Sequence, residues 1–212
     1  MSTTLRMRRI ALAAAGALAL PLALSACSDG GDTSDRAAGT AKPEQETTSA
    51  APAGDEPFGP ACATVPKDGA GSFSGMAKAP VATAASNNPA LSTLVSAVKK
   101  AGLVDTLNSS KNITVFAPTN DAFAKIPKAD LDKVLNDKEQ LTKILTYHVV
   151  GKKLTPQQLE KGSFDTLAKS KLTTSGSGES FKVNDSANVV CGNVATANAT
   201  VYIVDSVLMP KM

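Results

Sequence analysis

The chain has 212 residues, 42% of them hydrophobic and 4% aromatic, with no tryptophan and a formal net charge of +3. The excess comes from Arg6, Arg8 and Arg9, and the rest of the chain carries 19 basic and 19 acidic side chains. That balance argues against a nucleic-acid partner, and no run beyond residue 26 approaches the roughly 20 apolar residues that span a bilayer.

The three arginines precede an unbroken apolar or small run, Ile10 to Leu24. Leu24-Ser25-Ala26-Cys27 follows, and it resembles the lipobox of bacterial lipoproteins. A basic start, a short apolar stretch and small residues before a cut predict a signal peptide over residues 1–26. Cleavage between Ala26 and Cys27 leaves a thiol to carry diacylglycerol. Two acyl chains on Cys27 predict stable attachment to a membrane without crossing it. Residues 27–60 hold Ser, Thr, Gly, Ala, Pro and seven acids against Arg36 and Lys42, with Phe58 as their one large apolar side chain. They read as an acidic, flexible tether. Residues 61–212, with 17 lysines and 12 acids, are long enough for one domain with its own core.

Lipidation of Cys27 leaves Cys62 and Cys191 as an even pair in an oxidising compartment, which predicts a structural disulfide. Asn88-Pro89 begins a helix, with Leu91, Leu94, Val95 and Val98 on one face and Gly102 at its end. Ile113–Ala117 reads as a strand stopped by Pro118. Thr119 caps a short helix carrying Ala122 and Phe123, and Asp121 suits its first turn. A helix around Asp130–Leu135 buries Leu131, Val134 and Leu135. Another starts at Asp137, paired with Gln140 as a capping box, and yields to a strand over Tyr147–Val150. Thr155-Pro156 opens a short helix that Gly162 closes. Leu172–Thr174 and Ser180–Val183 flank Gly176-Ser177-Gly178 as a hairpin. Asn188–Cys191 is a strand turned by Gly192-Asn193, and Thr200–Leu208 alternates as the last one. Helices first and strands later predict an α+β fold.

Three blocks now stand in order: Ile113-Thr-Val-Phe-Ala-Pro-Thr-Asn-Asp-Ala-Phe123, Leu141-Thr-Lys-Ile-Leu-Thr-Tyr-His-Val-Val150 and Ala199-Thr-Val-Tyr-Ile-Val-Asp-Ser-Val-Leu-Met-Pro210. Together they resemble the signature segments of fasciclin domains, over roughly residues 76–210. Cys62, Pro80–Pro89, Asp105–Asn108 and Val190-Cys-Gly192 narrow the resemblance to single-domain secreted antigens and surface lipoproteins of mycobacteria and related actinobacteria. The resemblance implies a wedge, a twisted β-sandwich with helices along its edge, and it supports joining Cys62 to Cys191.

His148, the one histidine, admits two readings. It is a general base, or a buried ring bonded to a backbone carbonyl. No Gly-x-Ser-x-Gly elbow and no second histidine for a metal accompany it, so neither an enzyme nor a cofactor is expected. In some animal fasciclin domains this tyrosine–histidine region is implicated in integrin binding, which makes Tyr147 and His148 the candidate interaction residues. The functional expectation is a lipid-anchored or secreted surface module for adhesion or protein contact, with an extracellular or envelope partner. The alternative is a small-ligand carrier or sensor, which requires a deep apolar pocket with convergent polar groups.

Overall fold

The computed structural model describes residues 56–210. The predicted leader, its cleavage site and Cys27 lie outside these residues, as does the tether up to residue 55.

Strand β1 (Ile113–Pro118) and strand β7 (Ala199–Val204) run parallel as the second and third strands of a seven-stranded mixed sheet, and every residue of both is buried. Parallel pairs covered on two faces need apolar side chains pointing both ways, hence the apolar runs of Ile113–Ala117, interrupted only by Thr114, and Val201–Val204. The pair is flanked by β2 (Val149–Val150) on the β1 side and by β6 (Ala187–Ala195) on the β7 side. Beyond β6 come β5 (Ser180–Val183), β4 (Lys171–Ser177) and β3 (Lys161–Asp165). A bridge between Val150 and Thr166 joins the two ends of the sheet, so it curls nearly closed.

The curled sheet divides the interior. Phe116, Leu154, Leu172, Phe181, Val183 and Tyr202 fill the enclosed side. Ile113, Val115, Ala117, Val201 and Ile203 face outward under the helices. The helical layer consists of α1 (Phe73–Ala77), α2 (Val81–Ser86), α3 (Ser92–Ala101) and α4 (Val104–Ser109) before β1. After β1 come α5 (Asn120–Ala124), α6 (Lys128–Asn136) and α7 (Lys138–Tyr147). A short α8 (Pro156–Leu159) leads into β3.

The predicted caps are in place. Asn88 Oδ1 accepts from Ala90 N at 3.0 Å ahead of α3, which stops at Gly102 with φ 73°. Thr119 Oγ1 accepts from Ala122 N at 3.2 Å, and Asp137 Oδ1 accepts from Glu139 N and Gln140 N; the expected reciprocal half of the box is replaced, because Asp137 N donates to the Lys133 carbonyl at 3.0 Å rather than to Gln140. Several boundaries differ from expectation. Helix α7 continues through Tyr147, which leaves β2 only two residues. Gly162 lies inside β3 rather than closing α8, because the Phe164 ring occupies the space a Cβ would need there. Gly192-Asn193 is an irregularity within β6, not a turn; the register with β7 shifts on both sides of Cys191. Leu131, Val134 and Leu135 of α6 are only half-buried. Helices α1, α2 and α4 and strand β3 carried no clear apolar period in the sequence.

The N-terminal end of the described chain is fastened twice to β6. Phe58 and Gly192 exchange backbone hydrogen bonds of 3.1 and 2.7 Å, along the part of β6 that β5 leaves unpaired. The Phe58 ring meets Phe181 edge-on at 5.5 Å. Gly59, at φ 105°, then lies against the Val190 carbonyl too closely for any Cβ. Four residues after Phe58, Cys62 is bonded to Cys191. With a sequence separation of 129, chain-entropy estimates give the bond up to about 5 kcal/mol through the unfolded state. Cys62→Ala paired with Cys191→Ala therefore lowers stability by about 3–5 kcal/mol in urea denaturation. A loss below about 1 kcal/mol would contradict this reading of the bond.

Candidate functional site

At the α7–β2 junction, helix must become strand inside one turn. His148 caps α7 in a helical conformation, and its neighbour Val149 already pairs with Val115. The His148 ring is 2% exposed. Its Nδ1 lies 2.8 Å from the Ile144 carbonyl, which can only accept. The Leu208 N–H, which can only donate, reaches Nε2 at 2.9 Å. The ring is therefore the neutral tautomer with its proton on Nδ1. Burial pushes its pKa down from 6.5 to about 4, against a smaller opposing effect of the bond to Ile144. Both nitrogens are committed to backbone, which leaves neither to act as a general base.

Tyr147 is 3% exposed. Its hydroxyl donates to the Lys171 carbonyl at 2.9 Å and accepts from Asn184 Nδ2 at 2.8 Å. The two candidate interaction residues are thus interior fasteners: Tyr147 ties α7 to β4 and the β5–β6 turn, and His148 ties α7 to the C-terminal segment. Direct contact with a partner needs exposure that neither ring has.

Tyr147 instead underlies an open cleft of about 530 Å³. Ser170, Lys171, Asn184, Asp185 and Ser186 line it, with Val207 and Met209 on its apolar side. Asn184 (φ 50°) and Asp185 (φ 55°) are both left-handed, a conformation these two residue types tolerate better than most. Asn184 Oδ1 also accepts from Thr173 N at 3.0 Å, so the rim is held to β4. Met209, 47% exposed, is one of two exposed large apolar side chains among the described residues. The sequence signals Asn184-Asp185 as a turn, but nothing in it places that turn over Tyr147.

Nearby, Asp205 joins β7 to the start of β6 and to α5. It accepts from Asn188 N at 2.8 Å and from Asn188 Nδ2 at 3.0 Å, and it pairs with Lys125 at 3.4 Å. Partial burial acts to raise its pKa, but these donors together with Ser206 hold it below the ordinary value. Among the described residues no three His, Cys, Asp or Glu side chains converge to hold a metal ion, and no helix is long and apolar enough to cross a membrane.

A family model described as the fasciclin domain matches residues 89–210. The chain belongs to the fasciclin domain family. It is 47% identical over 186 residues to immunogenic protein MPB70 of Mycobacterium bovis, covering 84% of this chain and 94% of that protein. It is 51% identical over 147 residues to cell surface glycolipoprotein MPB83 of the same species, covering 67% of this chain and 66% of that one. Protein sll1483 of Synechocystis is 42% identical over 130 residues, covering 60% of this chain and 72% of its own. The fold resembles the FAS1 domain pair of the insect cell adhesion molecule Fasciclin I, with a TM-score of 0.52 and 19% identity. That likeness covers 64% of this chain and 52% of the pair, and it shows the fold alone. The Phe58 contacts, Cys62 and helices α1 and α2 precede the matched fasciclin segment.

The His148 environment has a measurable consequence. With a folded pKa near 4, the unfolded chain binds a proton that the native fasciclin domain refuses. The stabilisation is complete above pH 6.5 and is lost as pH falls from there to about 4. At about 1.4 kcal/mol per unit the total is about 3 kcal/mol. His148→Gln removes this component, so its urea stability declines less than wild type between pH 7 and pH 4.5. Parallel pH profiles for the two proteins would show that the ring titrates normally in the native state.

Proposed function

We propose that this protein is an exported lipoprotein whose fasciclin head is held at the outer face of the cell membrane to make protein contacts. The observation that carries the reading is the Cys62–Cys191 bond, with Cys191 fully buried. A structural disulfide belongs to an oxidising compartment, as the N-terminal leader and Cys27 require. Two relatives bear names that speak of the surface or of immune exposure: cell surface glycolipoprotein MPB83 and immunogenic protein MPB70. Lipid on Cys27 gives attachment, the acidic residues up to 56 give reach, and the fastening at Phe58 and Cys62 sets where the tether leaves the head.

The contact face in this reading is the cleft above Tyr147. It offers a fixed rim with the cation Lys171, the anion Asp185, the amide or hydroxyl groups of Ser170, Thr173, Asn184 and Ser186, and the exposed Met209, a mix suited to a polar protein surface with one apolar anchor. Tyr147 and His148 act on it indirectly, by holding the rim and floor. The role is adhesive or receptor-like rather than catalytic, since the one histidine has no free nitrogen.

Two measurements test this. Wild-type protein fractionates with membranes and yields a diacylated Cys27 peptide by mass spectrometry, whereas Cys27→Ala appears in the medium. Recovery of an unmodified Cys27 thiol would refute the anchor. Crosslinking on intact cells captures a saturable partner, and Lys171→Glu with Asp185→Lys reduces capture by about tenfold or more without lowering the melting temperature. Undiminished capture would move the interface elsewhere on the head.

A further inference from the structure

A second space lies inside the head, away from the cleft. Between α2, α3 and α4 on one side and β1 and β7 on the other is an apolar cavity of about 60 Å³. Ala84, Leu94 and Leu107 line it from the helices, and Val115 and Val201 from the sheet. Its origin is legible in the sequence of α2, Val-Ala-Thr-Ala-Ala-Ser. A helix whose inward residues are largely alanine cannot fill the space above a sheet, and interiors rarely keep such voids because the lining loses its contacts.

Asn88 lines the same cavity. It is 2% exposed. Its Oδ1 caps the turn before α3, but its Nδ2 has no hydrogen-bond partner among the described residues. A buried donor left unmade is costly, and an unfilled apolar void is a separate cost. The two coincide at one place. Leu167, the other exposed large apolar side chain at 41%, also belongs to this lining, which gives the space an apolar approach from the surface.

We propose that this cavity is a binding site for a linear aliphatic chain carrying a neutral oxygen acceptor, such as a ketone or an acyl ester carbonyl. The chain fills the alanine-lined void and its oxygen accepts from Asn88 Nδ2. A carboxylate is disfavoured, because no cation lines the cavity to pair with it. At about 60 Å³ the space is smaller than the roughly 150 Å³ that admits benzene. It therefore admits only the narrow carbonyl-bearing end of a chain and excludes a ring, and the remainder of a longer chain runs out past Leu167. The same chemistry is offered by free ketones and by the acyl esters of membrane lipids.

The test is titration of the purified full chain with 2-alkanones of increasing length and with alkanes of matched length, read by calorimetry and by the Asn88 side-chain NH₂ resonance. The expected result is saturable binding that tightens with chain length, favours ketone over alkane and shifts the Asn88 resonance. Val98→Phe, which fills the cavity, weakens binding by about tenfold or more while the protein still melts cooperatively. Asn88→Ser keeps a good capping residue and abolishes the ketone preference without abolishing alkane binding. A parallel incubation with phosphatidylglycerol vesicles, followed by extraction of the re-isolated protein, identifies the source: co-purifying lipid marks a membrane ester, and ketone binding without lipid marks a free small molecule. No binding of any probe, equal binding to Val98→Phe, or no preference for ketone in wild type would overturn the proposal.

Discussion

The fold depends on one pairing. Strands β1 and β7 are far apart in sequence and lie parallel, and each must be covered on both faces. Tyr202 and Phe116 stack at 5.8 Å on the enclosed side, while Val115, Val201 and Ile203 support the helical layer. Buried polar groups then fix where the pair sits. Thr114 Oγ1 donates to the Lys152 carbonyl at 2.8 Å and accepts from Leu154 N at 2.9 Å. Tyr202 donates to the Leu154 carbonyl at 3.0 Å, and its burial raises the phenol pKa. In a low-dielectric interior such bonds are specific because the alternative is an unmade one.

The functional surfaces follow from that wall. Because β1 and β7 pair with each other, β2 and β6 flank them, and each receives something from outside the sheet. At β2 it is the α7 junction, where His148 takes its cap position and Phe116 N donates to the His148 carbonyl at 2.8 Å. At β6 it is the segment from Phe58 to Cys62, which covers an otherwise open edge; covered edges resist pairing with other chains. The helices over the far side are stitched by Asn198, whose Oδ1 accepts from Val81 N at 2.8 Å and whose Nδ2 donates to Leu107 and Ser110 carbonyls at 2.7 and 2.6 Å. Asn198, like Asn108, stands in a glycosylation-like triplet, yet both side chains are engaged in holding α2 to α4.

Much of this was legible from residues. The Asn88 and Thr119 caps, the Gly102 stop and the β1 and β7 runs are local signals, and each produces its element. The α+β class and the fasciclin resemblance followed from their order. What was hidden depends on how backbone and side chains pack in the folded chain rather than on local composition. Gly192-Asn193 has turn composition, but Phe58, more than 130 residues earlier in the chain, pairs with Gly192 and keeps the strand going. Gly162 has helix-ending composition, but the Phe164 ring needs the space its missing side chain leaves. Tyr147 and His148 were legible as a conspicuous pair, and the sequence gives no sign that Leu208 and Lys171 enclose them. The cleft above Tyr147 joins the β3–β4 turn, the β5–β6 turn and the C-terminal segment, and no local pattern reports such a meeting.

The central claim is that one doubly buried strand pair supports both cores, so that neither the helical layer nor the curled sheet is stable without it. Native-state hydrogen exchange with increasing denaturant measures this directly. The account predicts that amides of Val115, Phe116, Tyr202 and Ile203 exchange only through global unfolding, and that α3 and β5 lose their residual protection in that same event. Exchange from β1 and β7 in a partial opening, while either the helices or the outer strands stay protected, would contradict it.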